Sequence, residues 1–200
     1  MTDATASHDE APRRVLDEAD APGVIAIAVV ATNGVIGDGH DQPFKFPEDW
    51  ARFKRVTIGH PLIMGRRTHD AMGLLTGRTN IVVSRTPQAV TWPDQAPEGS
   101  HGIAVSSIEE ALAVARGLDQ RIYVIGGGQI YKAAWEWLTD LDITAVHEPA
   151  EGSVTFPEIS TDDWSETSRE PHGEFDFVHY ARTSAPRPLP PVTGDSAAGH

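Results

Sequence analysis

Six short runs rich in Val and Ile alternate along this chain with segments of helical periodicity, and that alternation limits the fold more than any other feature. The runs are Val24–Ala31, Pro61–Met64, Asn80–Ser84, Gly102–Val105, Ile122–Ile125 and Ile143–His147. Several are unbroken enough to be buried on both faces, as strands of a parallel sheet are. Helical patterns fall between them at about Pro47–Thr57, Thr68–Met72, Ser107–Arg116 and Gln129–Leu138. Ser107 and Glu110 are spaced as a capping box, which marks the start of the third. Strands and helices in turn imply a mostly parallel central sheet with helices on both faces, joined by right-handed crossovers. The C-terminal part differs: Ser153–Phe156 and Phe175–Ala181 read as strands with no helix between them, which predicts an antiparallel edge. The fold class is therefore α/β, and no internal repeat is present.

Composition sets the outer limits. Residues 1–22 and 184–200 are polar, small and proline-bearing, and read as disordered tails around one domain over 23–183. A chain of 200 residues can bury one sizeable core. No stretch approaches the roughly 20 apolar residues of a membrane span, and the acidic start lacks the pattern of a secretory signal, so the expected place of action is the cytoplasm. The chain has no cysteine, which removes disulfides, thiolate metal sites and cysteine nucleophiles. A net charge of -13 argues against a nucleic-acid surface, yet locally placed arginines could still hold a small anion. The nine histidines show no metal-ligand spacing, so no metal is expected.

Three constellations carry chemistry. In Val124-Ile125-Gly126-Gly127-Gly128-Gln129-Ile130-Tyr131, three glycines join a buried strand to a helix; they allow a close backbone approach to a ligand, or simply make a tight turn. No G-x-G-x-x-G follows any strand, so a dinucleotide would be held in another way than the usual fingerprint. Ile63-Met64-Gly65-Arg66-Arg67-Thr68 is a second strand-to-helix turn, with two arginines that Arg85, just past Ser84, could join. Singly these are surface charges; together, at the carboxyl ends of neighbouring strands, they favour a phosphorylated cofactor, NADPH over NADH. The third is Pro43-Phe44-Lys45-Phe46-Pro47-Glu48-Asp49-Trp50 with Phe53. Acids in a first turn after proline suit a helix start, but Asp49 shares a face with Phe53, and a carboxylate on an apolar face needs a partner or a task.

These segments, with the Gly34-Val35-Ile36-Gly37 turn and Gly77-Arg78-x-Asn80, occur in the order and nearly the spacing of the dihydrofolate reductases. The chain resembles the bacterial members of that family from about Val24 to Tyr180. The resemblance implies an NADPH-dependent oxidoreductase that reduces 7,8-dihydrofolate to tetrahydrofolate for one-carbon metabolism. It also implies a monomeric enzyme of the antifolate-target type, whose only other partner is its small-molecule substrate.

The resemblance makes Asp49 the catalytic acid, with Thr144 bonded to its carboxylate. It gives Ile27, Trp50, Phe53, Met72 and Ile125 as walls of the substrate pocket, and Arg78 as the grip on the tail carboxylate. For the cofactor it implies Val29, Ile36 and Gly37 near the nicotinamide end, and Gly65, Arg66, Arg67, Thr68, Ser84 and Arg85 near the adenosine phosphates. Gly126, Gly127, Gly128, Gln129, Ile130 and Tyr131 complete that set, with a cis peptide between the first two glycines. Residues 37–44 match a loop that closes over the nicotinamide, Asp38, Gly39 and His40 being its flexible part. Burial should raise the Asp49 pKa.

There are departures as well. Phe44 stands where the family usually has tryptophan, so a donor to an active-site water is absent. Gln42 is unusual in its loop, and Trp50 is bulky. Ser153-Val154 in place of Asp-Thr predicts a missing loop-to-loop hydrogen bond, and the stretch before Gly77 is one residue short. The rival of the same fold, a riboflavin-pathway reductase, is disfavoured by Asp49 together with Arg78. A folate-binding relative without catalysis would have lost the carboxylate.

Overall fold

The structure, a computed structural model, describes residues 23–39 and 41–192. The N-terminal tail, His40 and residues 193–200 lie outside the described residues. Eight strands form one sheet. Its parallel body consists of β1 (Gly23–Val30), β3 (Leu62–Gly65), β4 (Thr79–Val83), β5 (His101–Val105), β6 (Arg121–Val124) and β7 (Asp140–Val146). β10 (Phe175–Arg182) pairs antiparallel with β7 and β9 (Trp164–Pro171) with β10, giving the order β5-β4-β3-β6-β1-β7-β10-β9. A separate ribbon pairs β2 (Val35–Gly37) with β8 (Val154–Thr155). The helices are α1 (Pro47–Thr57), α2 (Arg66–Met72), α3 (Ile108–Leu118) and α4 (Gly128–Ala134), the last running into a 3₁₀ turn at Trp135–Trp137.

Each central strand is apolar on both sides because both sides are covered. Val24 and Ala26 of β1 pack into a large core with α3, α4 and Trp164, while Ile25 and Ile27 pack on the other face with Phe53, Leu62, Met64 and Ile125. The α3 cap is built slightly differently from the expected box. Ser107 Oγ accepts from Glu110 N at 3.1 Å, but the Glu110 carboxylate turns to the backbone and hydroxyl of Ser106, one residue outside the cap.

Four strands differ from the sequence reading: the Gly34–Gly37 segment, read as a turn, contains β2, and β8, read with the antiparallel edge, pairs with β2 in the ribbon instead. β9 has the polar sequence Trp-Ser-Glu-Thr-Ser-Arg-Glu-Pro and is exposed after Trp164, so it shows no apolar alternation. It is the sheet edge, and charges and a terminal proline are what blunt an edge. β7 begins at Asp140 rather than Ile143, because Asp142 is a buried charge whose partner, Arg52, lies 90 residues earlier.

Residues 184–192, which composition places in the C-terminal tail, run along the molecule instead. Arg187 N donates to Glu136 O at 2.7 Å, Trp137 Nε1 donates to Pro188 O at 3.2 Å, and Arg116 donates to Leu189 O and Pro190 O. The Arg187 guanidinium lies 4.4 Å from the centre of the Trp137 indole. Proline-rich backbone has few internal hydrogen bonds to lose, so an extended strap docks at small entropic cost.

Candidate active site

The site begins where two neighbours part. β1 and β6 are in register from Gly23 with Arg121 to Ala26 with Val124, and there their pairing stops, although β1 continues beside β7 to Val30. The gap opens at the carboxyl ends of the parallel strands, where an open α/β sheet holds ligands. Just past it the Tyr131 hydroxyl donates to the Ile27 carbonyl at 2.7 Å. The Gly126–Gly127 peptide, at the end of β6, is cis.

On one side of the gap α1 presents Asp49, Phe53 and Thr57 at successive turns. Thr144 Oγ1 donates to Asp49 Oδ1 at 2.5 Å, which fixes the carboxylate against β7. Burial holds the Asp49 pKa above the ordinary carboxyl value; the Thr144 hydrogen bond and Arg52 draw it down, and Asp142 adds to the rise. Glu48, next to it, is exposed and pairs with His172 at 2.8 Å, so the two neighbouring acids face different surroundings. Ile27, Phe53 and Ile125 are nearly fully buried and Met72 packs on them. Trp50 is 43% exposed and its ring is stacked 5.2 Å above Phe53.

Arg78 is only 5% exposed. Its Nε donates to Thr57 Oγ1 at 2.9 Å, and its terminal nitrogens donate to the carbonyls of Thr76 and Lys54. Thr57, itself bonded to Phe53 O, therefore aims the guanidinium. Three of the five donors are taken, and two are left for an anion. Burial lowers the Arg78 pKa, which a guanidinium tolerates without losing its charge. Asn80, fully buried, pins the preceding turn through Leu75 and the Arg78 carbonyl.

The other side of the gap is glycine and cation. Gly65 N donates to Gly126 O at 2.7 Å, which joins the two glycine turns. A Cβ on Gly126, whose φ is +101°, would strike the Tyr131 ring, and one on Gly128 would meet Thr155 O at 2.9 Å. On Gly127 it would meet only Thr68 Oγ1, at 3.8 Å, so the backbone there is open to a ligand. Gly65 lies beside Val83 in register, which sets Arg66 and Arg67 next to Ser84 and Arg85. All three arginines are exposed, and none forms an ion pair among the described residues. Gly65 is backed by Ile130, while Gln129 is exposed. Spare cations beside an open glycine backbone fit a phosphorylated dinucleotide.

Val29 packs with Phe44, Phe46, Val146, Phe175 and Phe177, whereas Ile36 belongs to the opposite core. Gly37 pairs with Val154, and β8 lies against Gly128, so the loop after Gly37 leaves from beside the triple glycine. The Phe44 ring is 5.9 Å from Phe46, parallel to it, and Phe46 in turn packs on Phe175. A loop-to-loop hydrogen bond of the opposite sense is present: Ser153 Oγ donates to Asp38 O at 3.4 Å, where a carboxylate could only accept.

Sequence reasoning missed Thr57, Arg52 and Asp142. Thr57 falls on the Asp49–Phe53 stripe, and that spacing could have found it. The Arg52–Asp142 pair joins distant segments and left no local signal.

A sheet whose strands part around a glycine turn, acid on one side and cations on the other, places this chain among the α/β enzymes whose substrate and nucleotide share one cleft. The family model for dihydrofolate reductase matches residues 23–183, and the chain belongs to that family. The dihydrofolate reductase of Neisseria gonorrhoeae is 40% identical over 165 residues, covering 78% of this chain and 96% of the relative. Dihydrofolate reductase HdrB of Haloferax volcanii is 37% identical, over 79% of this chain and 82% of its own. Among solved structures, dihydrofolate reductase from Enterococcus faecalis complexed with NADP(H) and RAB-propyl has a TM-score of 0.68 and 30% identity. It covers 81% of this chain and 97% of that one.

Proposed function

We propose that the protein reduces 7,8-dihydrofolate to 5,6,7,8-tetrahydrofolate with NADPH, an oxidoreductase activity that feeds one-carbon metabolism. The observation that carries the reading is Asp49 itself: a carboxyl with its proton affinity raised by burial, tied to Thr144, in an apolar cleft beside the triple glycine. When bound, NADPH supplies a hydride from its nicotinamide to C6 of the pteridine. The ring must also gain a proton at N5, so the sum is one hydride and one proton for one C=N bond reduced.

Asp49 accepts hydrogen bonds from the pteridine amino group and ring N–H and promotes protonation at N5 through water. Acid assistance of this kind contributes typically about 10² to 10⁴ in rate. Ile27, Phe53, Met72 and Ile125 exclude water from the hydride path, and Trp50 extends that wall to the surface. Arg78, aimed by Thr57, takes the substrate's tail carboxylate with its two spare donors. Arg66, Arg67, Thr68, Ser84 and Arg85 hold the adenosine phosphates. Gly65 and the backbone from Gly126 to Tyr131 receive the pyrophosphate and nicotinamide, and Val29, Gly37 and the backbone of Ile36, whose side chain lies in the opposite core, close the nicotinamide end.

The enzyme acts as a cytoplasmic monomer on this reading. Among the described residues the exposed large apolar side chains are Trp50, Ile58, Leu118 and Val192. No helix among the described residues is long and apolar enough to cross a membrane. The test is NADPH absorbance: it should fall when dihydrofolate is added, with tetrahydrofolate as product, and much more slowly with NADH. Absence of dihydrofolate-dependent oxidation would overturn the assignment.

A further inference from the structure

α1 and β7 are joined twice, side by side. Thr144 holds Asp49, and Arg52, about one helical turn further along α1, donates from Nη2 to Asp142 Oδ1 at 2.6 Å. Asp142 and Thr144 alternate along β7 and share its face towards the cleft; Asp49 and Arg52, three apart, are neighbours on the helix. Asp142 is buried and Arg52 half-buried, with side chains 8% and 20% exposed. The Arg52 guanidinium also lies 4.5 Å from the centre of the Phe177 ring on β10. A buried ion pair is weak evidence of stabilisation, since apolar residues of the same volume often serve the fold as well. Two opposite charges beside Asp49 have a different consequence, for both reach it, and in opposite senses.

We propose that the Arg52–Asp142 pair positions Asp49 and sets the pH window in which it serves as the acid of the proposed reduction. The inference rests on the reading of Asp49 given above. Intact, the pair nearly cancels its own field. Without the cation, Asp142 alone faces Asp49 and the carboxyl keeps its proton to higher pH. Without the anion, Arg52 is free to turn to Asp49, which then loses its proton at lower pH.

The other titratable groups around the pair are already engaged. From α4, the Tyr131 hydroxyl is buried, bonded to Ile27 O and held protonated well above the ordinary phenol range. From β6, Tyr123 accepts from Arg121 Nε at 3.0 Å, and burial raises its pKa as well. From β10, His179 stands opposite Asp142 in register and is occupied by Thr167 at 2.8 Å and by Asp140 at 3.6 Å. On α1 itself, Glu48 is held by His172.

The experiment is single-turnover hydride transfer by the full-length, NADPH-loaded protein from about pH 5 to about pH 9. Arg52→Gln should move the pH midpoint of the rate up by about half a unit or more, and Asp142→Asn should move it down. Arg52→Lys, which keeps the charge, should restore the native midpoint. The double variant Arg52→Gln/Asp142→Asn leaves no unpaired buried charge and carries the test if a single variant does not fold. Its midpoint should fall between those of the two single variants, because it leaves neither charge unbalanced beside Asp49. Native midpoints throughout, with Asp49→Asn impaired, would reduce the pair to a structural tie. An Asp49→Asn variant as fast as the native protein would instead overturn the reading of Asp49.

Discussion

Burial makes Asp49 keep its proton above the ordinary carboxyl pKa of 3.8, although Thr144 and Arg52 pull the other way. The sign of the consequence for stability follows from proton counting. Between 3.8 and the raised native value the folded chain binds more protons than the unfolded one, so stability falls as pH rises through that window. Replacing the group removes the loss. Asp49→Asn should melt about 1 to 3 °C above the native protein at neutral pH and coincide with it below about pH 3, as read by calorimetry. A variant less stable at neutral pH would show that the carboxylate is better solvated than its place in the cleft implies. Asp49 was legible in the sequence because its spacing to Phe53 put an acid on an apolar face. Arg52 was not, because an arginine on a helix reads as a solvated charge until the strand that buries it is known.

Elements with a periodic apolar face were the legible ones. α1 has the expected bounds, and each of the six Val- and Ile-rich runs overlaps a parallel strand of the sheet. β9 escaped because an edge strand makes its backbone hydrogen bonds without needing apolar side chains on either face. The strap over residues 184–192 escaped for a related reason: proline-rich, polar sequence has the composition of a tail whether or not a surface receives it. Trp137, Arg116 and Glu136 receive it here through backbone hydrogen bonds, and Leu189 reaches the main core. A chain ending at Thr183 should therefore melt about 3 °C lower, the effect of roughly 1 kcal/mol in a domain of this size. Its kcat should be unchanged, since the strap binds α3 and the 3₁₀ turn and not the cleft. An unchanged melting temperature would mean that the strap contributes nothing to the fold.

The working part of the whole molecule is the separation of β1 from β6. Parallel strands that stay paired leave no room at their centre; these part after Ala26 and Val124, and the space is bordered by α1 on one side and by two linked glycine turns on the other. Local pattern could show strands, helices and turns, but not which neighbours would part. The family resemblance supplied what the pattern could not, since several motifs in register specify a common arrangement that no single one does.

The central claim is that one buried carboxyl promotes the protonation that makes the pteridine reducible. Rapid mixing of dihydrofolate with the NADPH-loaded protein, native and Asp49→Asn, tests it most directly. The account predicts that at neutral pH the variant transfers hydride about 10² to 10⁴ times more slowly, and that its rate climbs as the pH falls and solvent protons take over. Equal rates at neutral pH, with the same dependence on pH, would contradict it.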